Sequence, residues 1–216
     1  MPVQRLSSSF NRTFMVFYYN AKIIGYVPIL VAIACTAVIS TVFNLRFSTY
    51  GEIAQVGEMY LSLLGIILLP HLSIVEDTDS IRETVYPRRF RHVLSVLYRL
   101  LFTAALLWFL IMSVVMLAKL QGSEFPWLEI TGGVWISAMG LGAAGLTAAT
   151  FSRNIAAAYI TGFLYYVLEL FTKGKYTGDL YLLSLLRGHF EQGKWGMAGI
   201  ISVVLAINLI YVWRKS

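Results

Sequence analysis

The sequence predicts an all-α membrane protein, organised as a bundle of six transmembrane helices. Six long apolar stretches fill most of its 216 residues, and one strongly charged segment separates the second from the third. Apolar residues make up 58% and charged residues 13%, whereas a soluble domain carries about a quarter charged residues. Because lipid offers the backbone no hydrogen bonds, only helices or closed barrels span it. These runs lack the alternation of barrel strands, so we expect helices.

Span length sets the positions of the six helices within a single membrane domain, residues 1–216. A bilayer core roughly 30 Å thick needs about 20 apolar residues per helix. Spans four and five are separated only by Ser152–Asn154 and must form a tight hairpin. The predicted spans are about Ile23–Phe43, Val56–Val75, Leu100–Leu117, Ile130–Phe151, Ile155–Phe171 and Trp195–Trp213.

Basic residues predict the orientation, because cytoplasmic loops collect Lys and Arg. The net charge of +6 is therefore a sign of topology and not of nucleic-acid binding. We expect a multi-pass protein of the cell membrane with both termini in the cytoplasm. Of the 17 basic residues, this orientation places the following inside and the others outside: Arg5, Arg12, Lys22, Arg82, Arg88, Arg89, Arg91, Arg99, Arg153, Arg214 and Lys215.

Two further apolar segments are too short to span. Phe10–Asn20 spaces its aromatic residues as a helix does, which predicts an amphipathic helix in the headgroup plane. Its alternative is a frayed extension of span one. Leu180–Leu186, between spans five and six, is too apolar for water. It predicts a re-entrant or interfacial outer segment, or alternatively a loop helix packed on the bundle.

The charged segment after span two predicts a cytoplasmic helix that meets a soluble partner. Residues 76–86 place acidic side chains in a first turn, where the helix dipole favours them. Pro87 then ends this helix and begins another, and arginines follow it.

One motif in span four imitates a nucleotide-binding site. Residues 140–145 match the Gly-x-Gly-x-x-Gly fingerprint, but that motif requires a preceding strand and a soluble helix. Small residues three and four apart let helices approach closely in lipid. We therefore interpret Gly140, Gly142 and Gly145 as helix-packing residues.

Two acidic residues inside the spans are candidates for lining a substrate path. Glu58 and Glu169 are predicted near the outer ends of spans two and five, and intramembrane acids often mark such paths. The alternative is that both are interfacial groups.

Catalytic and metal motifs are not found in the sequence. It has no Ser nucleophile elbow, no His pair at metal-binding spacing and no phosphate-binding Gly-Lys-Ser/Thr loop. We expect no catalytic residue, no metal and no cofactor in this chain. Any ATP and Mg would then be bound by another subunit.

As a whole, the arrangement resembles the permease subunit of a type-2 ATP-binding-cassette exporter. The likeness covers nearly the full length: the helix at Phe10–Asn20, six spans, the acidic-then-basic loop, the turn at Ser152–Asn154 and the apolar outer loop. It implies that the loop after span two is a coupling helix docked on a cytoplasmic ATPase, and that the outer loop closes the outward exit. The residues this assigns to ATPase coupling are Glu76, Asp77, Asp79, Arg82, Glu83, Tyr86, Arg88 and Arg89.

The resemblance also implies a function and partners. The chain would form, with a second identical or similar permease chain, the path by which an amphiphile such as a peptide, lipid or drug-like molecule is exported. Two alternatives remain open: a substrate-binding membrane subunit of a vitamin-type uptake system, and a lipid-modifying membrane enzyme. A neighbouring coding region for an ATPase without membrane spans would favour the exporter.

Overall fold

The computed structural model describes residues 26–43, 45–74, 89–188, 190 and 192–215. All regular secondary structure within these ranges is helical. Three short 3-10 turns, Leu61–Leu63, Gly178–Leu180 and Ser184–Arg187, accompany the α-helices. The α-helices are α1 Tyr26–Val42, α2 Tyr50–Met59, α3 Leu64–Leu68, α4 His71–Ile74, α5 Arg89–Leu120, α6 Trp127–Ser152, α7 Ile155–Thr172 and α8 Gly193–Lys215.

In the part of the chain that the structure describes, five helical segments are long and apolar enough to cross a membrane. A sixth apolar helix, α1, is shorter, at 17 residues. The helical, membrane-compatible character of the chain is thus confirmed. The predicted helix at Phe10–Asn20 and the segment Glu76–Arg88 lie outside the described residues, and Arg89 is the first residue of α5. The five segments are Tyr50–Leu68, Ser95–Leu120, Trp127–Ser152, Ile155–Thr172 and Gly193–Arg214.

The second predicted span begins earlier than its hydropathy indicated, at Tyr50 and not near Val56. The Glu52 carboxylate accepts a 2.8 Å hydrogen bond from the backbone N–H of Thr49, which starts the helix among polar residues. The segment ends at Leu68, ahead of Pro70, which cannot continue a helix. Glu58 therefore lies about two turns, roughly 12 Å, inside the start of the helix.

Helix α6 is the centre of the bundle and packs against α2, α3, α4, α5, α7 and α8. Its small residues allow this. A Cβ added at Gly142 would meet the carbonyl of Gly65 on α3, and one at Gly145 would meet the carbonyl of Ala158 on α7. Gly140 faces the side chains of Leu182 and Ile201. The structure therefore places all three predicted packing glycines in close contacts between elements.

The two ends of the bundle differ. The hairpin end carries the α6–α7 turn, where Arg153 takes a left-handed conformation and Asn154 caps α7. The loop end carries residues 43, 45–49, 121–126, 173–188, 190 and 192. There, Ser123 accepts a hydrogen bond from the Ser48 N–H and donates one to the Leu45 carbonyl. This exchange ties the loop after α1 to the loop after α5.

Because α3 and α6 cross closely at Gly65, we predict that adding a single methyl group there lowers the stability of the bundle. A Cβ at Gly65 would overlap the backbone carbonyl of Ala138, so Gly65→Ala must push the helices apart. Overpacking of this kind costs about 1–3 kcal/mol. We expect a lower melting temperature for the detergent-solubilised variant. Gly199→Ala, where a Cβ meets nothing within 4 Å, is the matched control and should melt like the parent chain.

Candidate functional site at the loop end of the bundle

A fully buried ion pair joins α2 to α8. The ammonium Nζ of Lys194 lies 2.5 Å from the carboxylate Oε1 of Glu58, and both side chains are 0% exposed. Lys194 stands in the first turn of α8, where the helix dipole disfavours a positive charge. The carboxylate of Glu58 offsets that cost as well as the cost of burial. Elements far apart in sequence are thus held together by charge.

Lys194 donates hydrogen bonds to further acceptors on two other elements. Its Nζ lies 2.6 Å from Ser137 Oγ of α6 and 2.5 Å from the carbonyl oxygen of Leu182 in the loop before α8. A longer contact of 3.3 Å reaches the carbonyl oxygen of Gly133. An ammonium buried in an apolar bundle is tolerated when its donors are satisfied in this way. Lys194 therefore connects α2, α6, α8 and the loop in one network.

The two carboxylates hold the backbone of that loop. Glu58 Oε2 accepts a 3.1 Å hydrogen bond from the N–H of Leu186. Glu169 on α7, also 0% exposed, has its Oε2 3.4 Å from the N–H of Leu182 and 3.4 Å from the hydroxyl of Thr177. Leu182 is consequently bound on both sides, its carbonyl by Lys194 and its N–H facing Glu169. We call Glu58, Ser137, Glu169 and Lys194 the charge cluster.

Apolar side chains anchor the same loop. Tyr181, Leu182, Leu183 and Leu185 are all buried, with exposures of 2% or less. Leu185 packs over Gly133 and Leu182 over Gly140, at the positions where α6 has no side chains. Residues 181–185 of the predicted apolar segment are therefore buried within the loop end of the bundle, as turns and 3-10 structure instead of a regular α-helix, whereas Leu180 is 38% exposed.

Tyr181 shows how strongly this end of the bundle excludes water. Burial, to which the nearby carboxylates of Glu58 and Glu169 add, raises the pKa of Tyr181 to about 12. Its hydroxyl stays neutral at physiological pH. The guanidinium of Arg187 lies 5.0 Å from the centre of its ring, a cation–π contact that covers the loop on its outer side.

The charge cluster is suited to holding the loop in place, because its side chains bind backbone groups of the loop. A Ser–Lys pair can serve as nucleophile and base in hydrolases, but the base must offer a free lone pair. Here the lysine donates towards Glu58, Ser137 and Leu182, and the whole group is sealed from solvent. Among the described residues, no group of three or more His, Cys, Asp or Glu side chains could hold a metal ion.

The structure brings some of the predicted site residues together. Glu58 and Glu169, predicted from their places in two spans, meet the same short stretch of loop. Sequence reasoning missed their partners Lys194 and Ser137. A signal for Lys194 existed: a basic residue at the start of one span and an acid inside another, both near the same end of the bundle. The coupling residues 76–88 lie outside the described residues.

Comparison with known proteins adds no relative. No family model, no curated protein and no solved structure matches this chain.

The charge cluster predicts that a single substitution in the ion pair lowers the melting temperature more than a double substitution does. Removing one partner of a buried ion pair leaves an uncompensated charge and costs about 3–5 kcal/mol. We expect Lys194→Met to lower the melting temperature sharply. Adding Glu58→Gln to it should restore much of the loss, because the Glu58 carboxylate is then no longer left buried without its ammonium partner. Thermal unfolding of the detergent-solubilised variants measures both.

Lys175→Met provides the control, since Lys175 is an exposed lysine of the same loop. It should leave the melting temperature unchanged. A double variant no more stable than Lys194→Met would show that the ion pair is not the stabilising element.

Proposed function

We propose that the chain is the membrane subunit of an ATP-driven exporter, with six spans and both termini in the cytoplasm of the cell. Its loop end faces outward and serves as the outer gate. The observation that carries the proposal is the burial of residues 181–185 in that end, where Lys194, Glu58 and Glu169 hold the backbone of Leu182 and Leu186. A simple connection between two helices needs neither burial nor three charged groups.

The geometry supports a gate that opens as a unit. The charge cluster joins the loop to α2, α6, α7 and α8, so the loop moves only if these helices shift. In the proposed mechanism, ATP binding draws two ATPase subunits together, and this motion reaches the spans through the segment after α4. The change is then a rigid-body shift between two states. A path between two bundles requires a second permease chain.

Energy for transport must come from outside the chain in this proposal. The segment 76–89 carries the acidic and basic residues suited to a polar contact with a cytoplasmic ATPase, which would bind the ATP and Mg. Arg89 begins α5 at the hairpin end, so a force applied there acts directly on a spanning helix. The substrate class is an amphiphile, such as a peptide, a lipid or a drug-like molecule.

Co-purification tests the proposal. The tagged chain, expressed with its neighbouring genes and purified in detergent, should bring down an ATPase subunit whose ATP hydrolysis it alters. A chain that purifies without any ATPase overturns the exporter function.

Charge reversal tests the coupling residues. Hydrogen bonds to charged groups contribute about 1.5–3 kcal/mol each, so Arg88→Glu with Arg89→Glu should weaken ATPase binding about a hundredfold. Membrane insertion should be unchanged. Lys175→Glu, in the exposed part of the loop at the opposite end, is the matched control and should bind normally. Undiminished binding by the double variant would remove residues 88 and 89 from the interface.

A further inference from the structure

An aromatic groove opens on the side of the bundle at the loop end, between α5, α6 and α8. It encloses about 470 Å³, within the range of about 300–1,000 Å³ typical of small-molecule sites. Trp108 of α5, Trp135 of α6, Trp195 of α8 and Phe190 of the preceding loop supply its rings. Glu129, in the first turn of α6, supplies a carboxylate to the same lining. We call this the aromatic groove.

Ring geometry keeps the groove open. Trp108 and Trp135 pack edge to face with centroids 5.9 Å apart, and Phe190 and Trp195 do so at 6.0 Å. The indole N–H of Trp135 donates a 2.9 Å hydrogen bond to the carbonyl of Ala104, which fixes that ring. Trp195 is 69% exposed. In an edge-to-face pair the edge of one ring covers only one face of the other, so the exposed Trp195 still offers π surface to a ligand.

Charge makes the groove selective. Glu129 is exposed, and among the described residues that line the groove it alone carries a charge. Two lysines on the helices that form the groove, α5 and α8, are engaged elsewhere. The Lys119 ammonium lies 5.8 Å from the Trp127 ring, outside the groove, and Lys194 is paired with Glu58 inside the bundle. A negative carboxylate beside the negative faces of aromatic rings attracts a cation.

We propose that the aromatic groove binds the quaternary ammonium group of an amphiphile, with its alkyl chain lying along the apolar wall that Leu128, Ile136 and Ala198 form. Aromatic rings with a carboxylate recognise such groups through cation–π attraction and charge, without needing a hydrogen-bond donor. The site is separate from the charge cluster and does not depend on the exporter function. Tryptophans also serve as interfacial anchors, but anchoring requires neither a shared cavity nor a carboxylate.

The test measures binding of radiolabelled hexyltrimethylammonium by equilibrium dialysis. The full chain is placed in nanodiscs of digalactosyldiacylglycerol, a lipid without charge. We expect saturable binding by the parent chain, and weaker binding of hexyl glucoside, which has the same alkyl chain and no charge. Equal binding of the two probes would overturn the proposal, because the groove would then recognise only the alkyl chain.

Substitutions locate the site. Loss of one ring or of the carboxylate should weaken binding about fivefold, as the strength of a cation–π contact at an accessible site implies. We expect this for Trp195→Leu and for Glu129→Gln, both at exposed positions. The matched controls are Trp213→Leu, an exposed tryptophan at the other end of α8, and Glu124→Gln, an exposed acid of the loop before α6. Equal losses in variants and controls would place the binding elsewhere and overturn the assignment.

The source of the ammonium group is settled by a second lipid. If phosphatidylcholine headgroups occupy the aromatic groove, its addition to the nanodiscs weakens probe binding by the parent chain. If the natural ligand is a soluble cationic amphiphile, phosphatidylcholine leaves the affinity unchanged. Either result supports the site and assigns its occupant.

Discussion

The buried pairing of Glu58 with Lys194 is the constraint on which the loop end of this bundle depends. An ion taken from water into an apolar interior costs several kcal/mol, and only close pairing with further hydrogen bonds offsets that cost. The network meets the requirement by recruiting Ser137 and the backbone of Leu182 and Leu186. Satisfying two buried charges therefore fixes the positions of three helices and of the loop. The loop takes irregular structure because backbone groups of Leu182 and Leu186 form hydrogen bonds with the side chains of Glu58, Glu169 and Lys194 and not with one another.

Helix α6 makes this arrangement possible because it has glycines, and therefore no side chains, where the loop packs against it. Gly133 and Gly140 leave space for Leu185 and Leu182, so the loop can sink against the helix. Gly142 lets α3 approach at the level of Gly65. In lipid there is no hydrophobic force between helices, and close packing of small residues replaces it. The same feature explains why residues 140–145 imitate a nucleotide fingerprint: glycines favour close approach of any backbone, whether to a phosphate or to another helix.

Hydropathy predicted the helices well where the apolar run coincides with the helix, as for Ile155–Thr172. It misplaced the start of the second segment because Glu52 and Gln55 lower the average although the helix continues through them. Two of the four residues in the charge cluster, Glu58 and Glu169, were predictable from the sequence. Glu58 and Glu169 stand out as acids among apolar residues, but an ion pair depends on two segments, whereas hydropathy is a property of one. Lys194 resembled an ordinary basic residue at a span end until the fold showed that its side chain turns inward.

A charge cluster of this kind favours two discrete states over a continuous motion. In the proposed exporter, opening of the outer gate would shift α8 relative to α2 and so separate Lys194 from Glu58. The half-open arrangement, with charges apart and still dry, is the least favourable of all, since lone buried ions are costly. Both end states lie lower: one paired and dry, the other separated and hydrated. In this proposal, ATP binding to a docked ATPase would favour one of these two states over the other by shifting the helices.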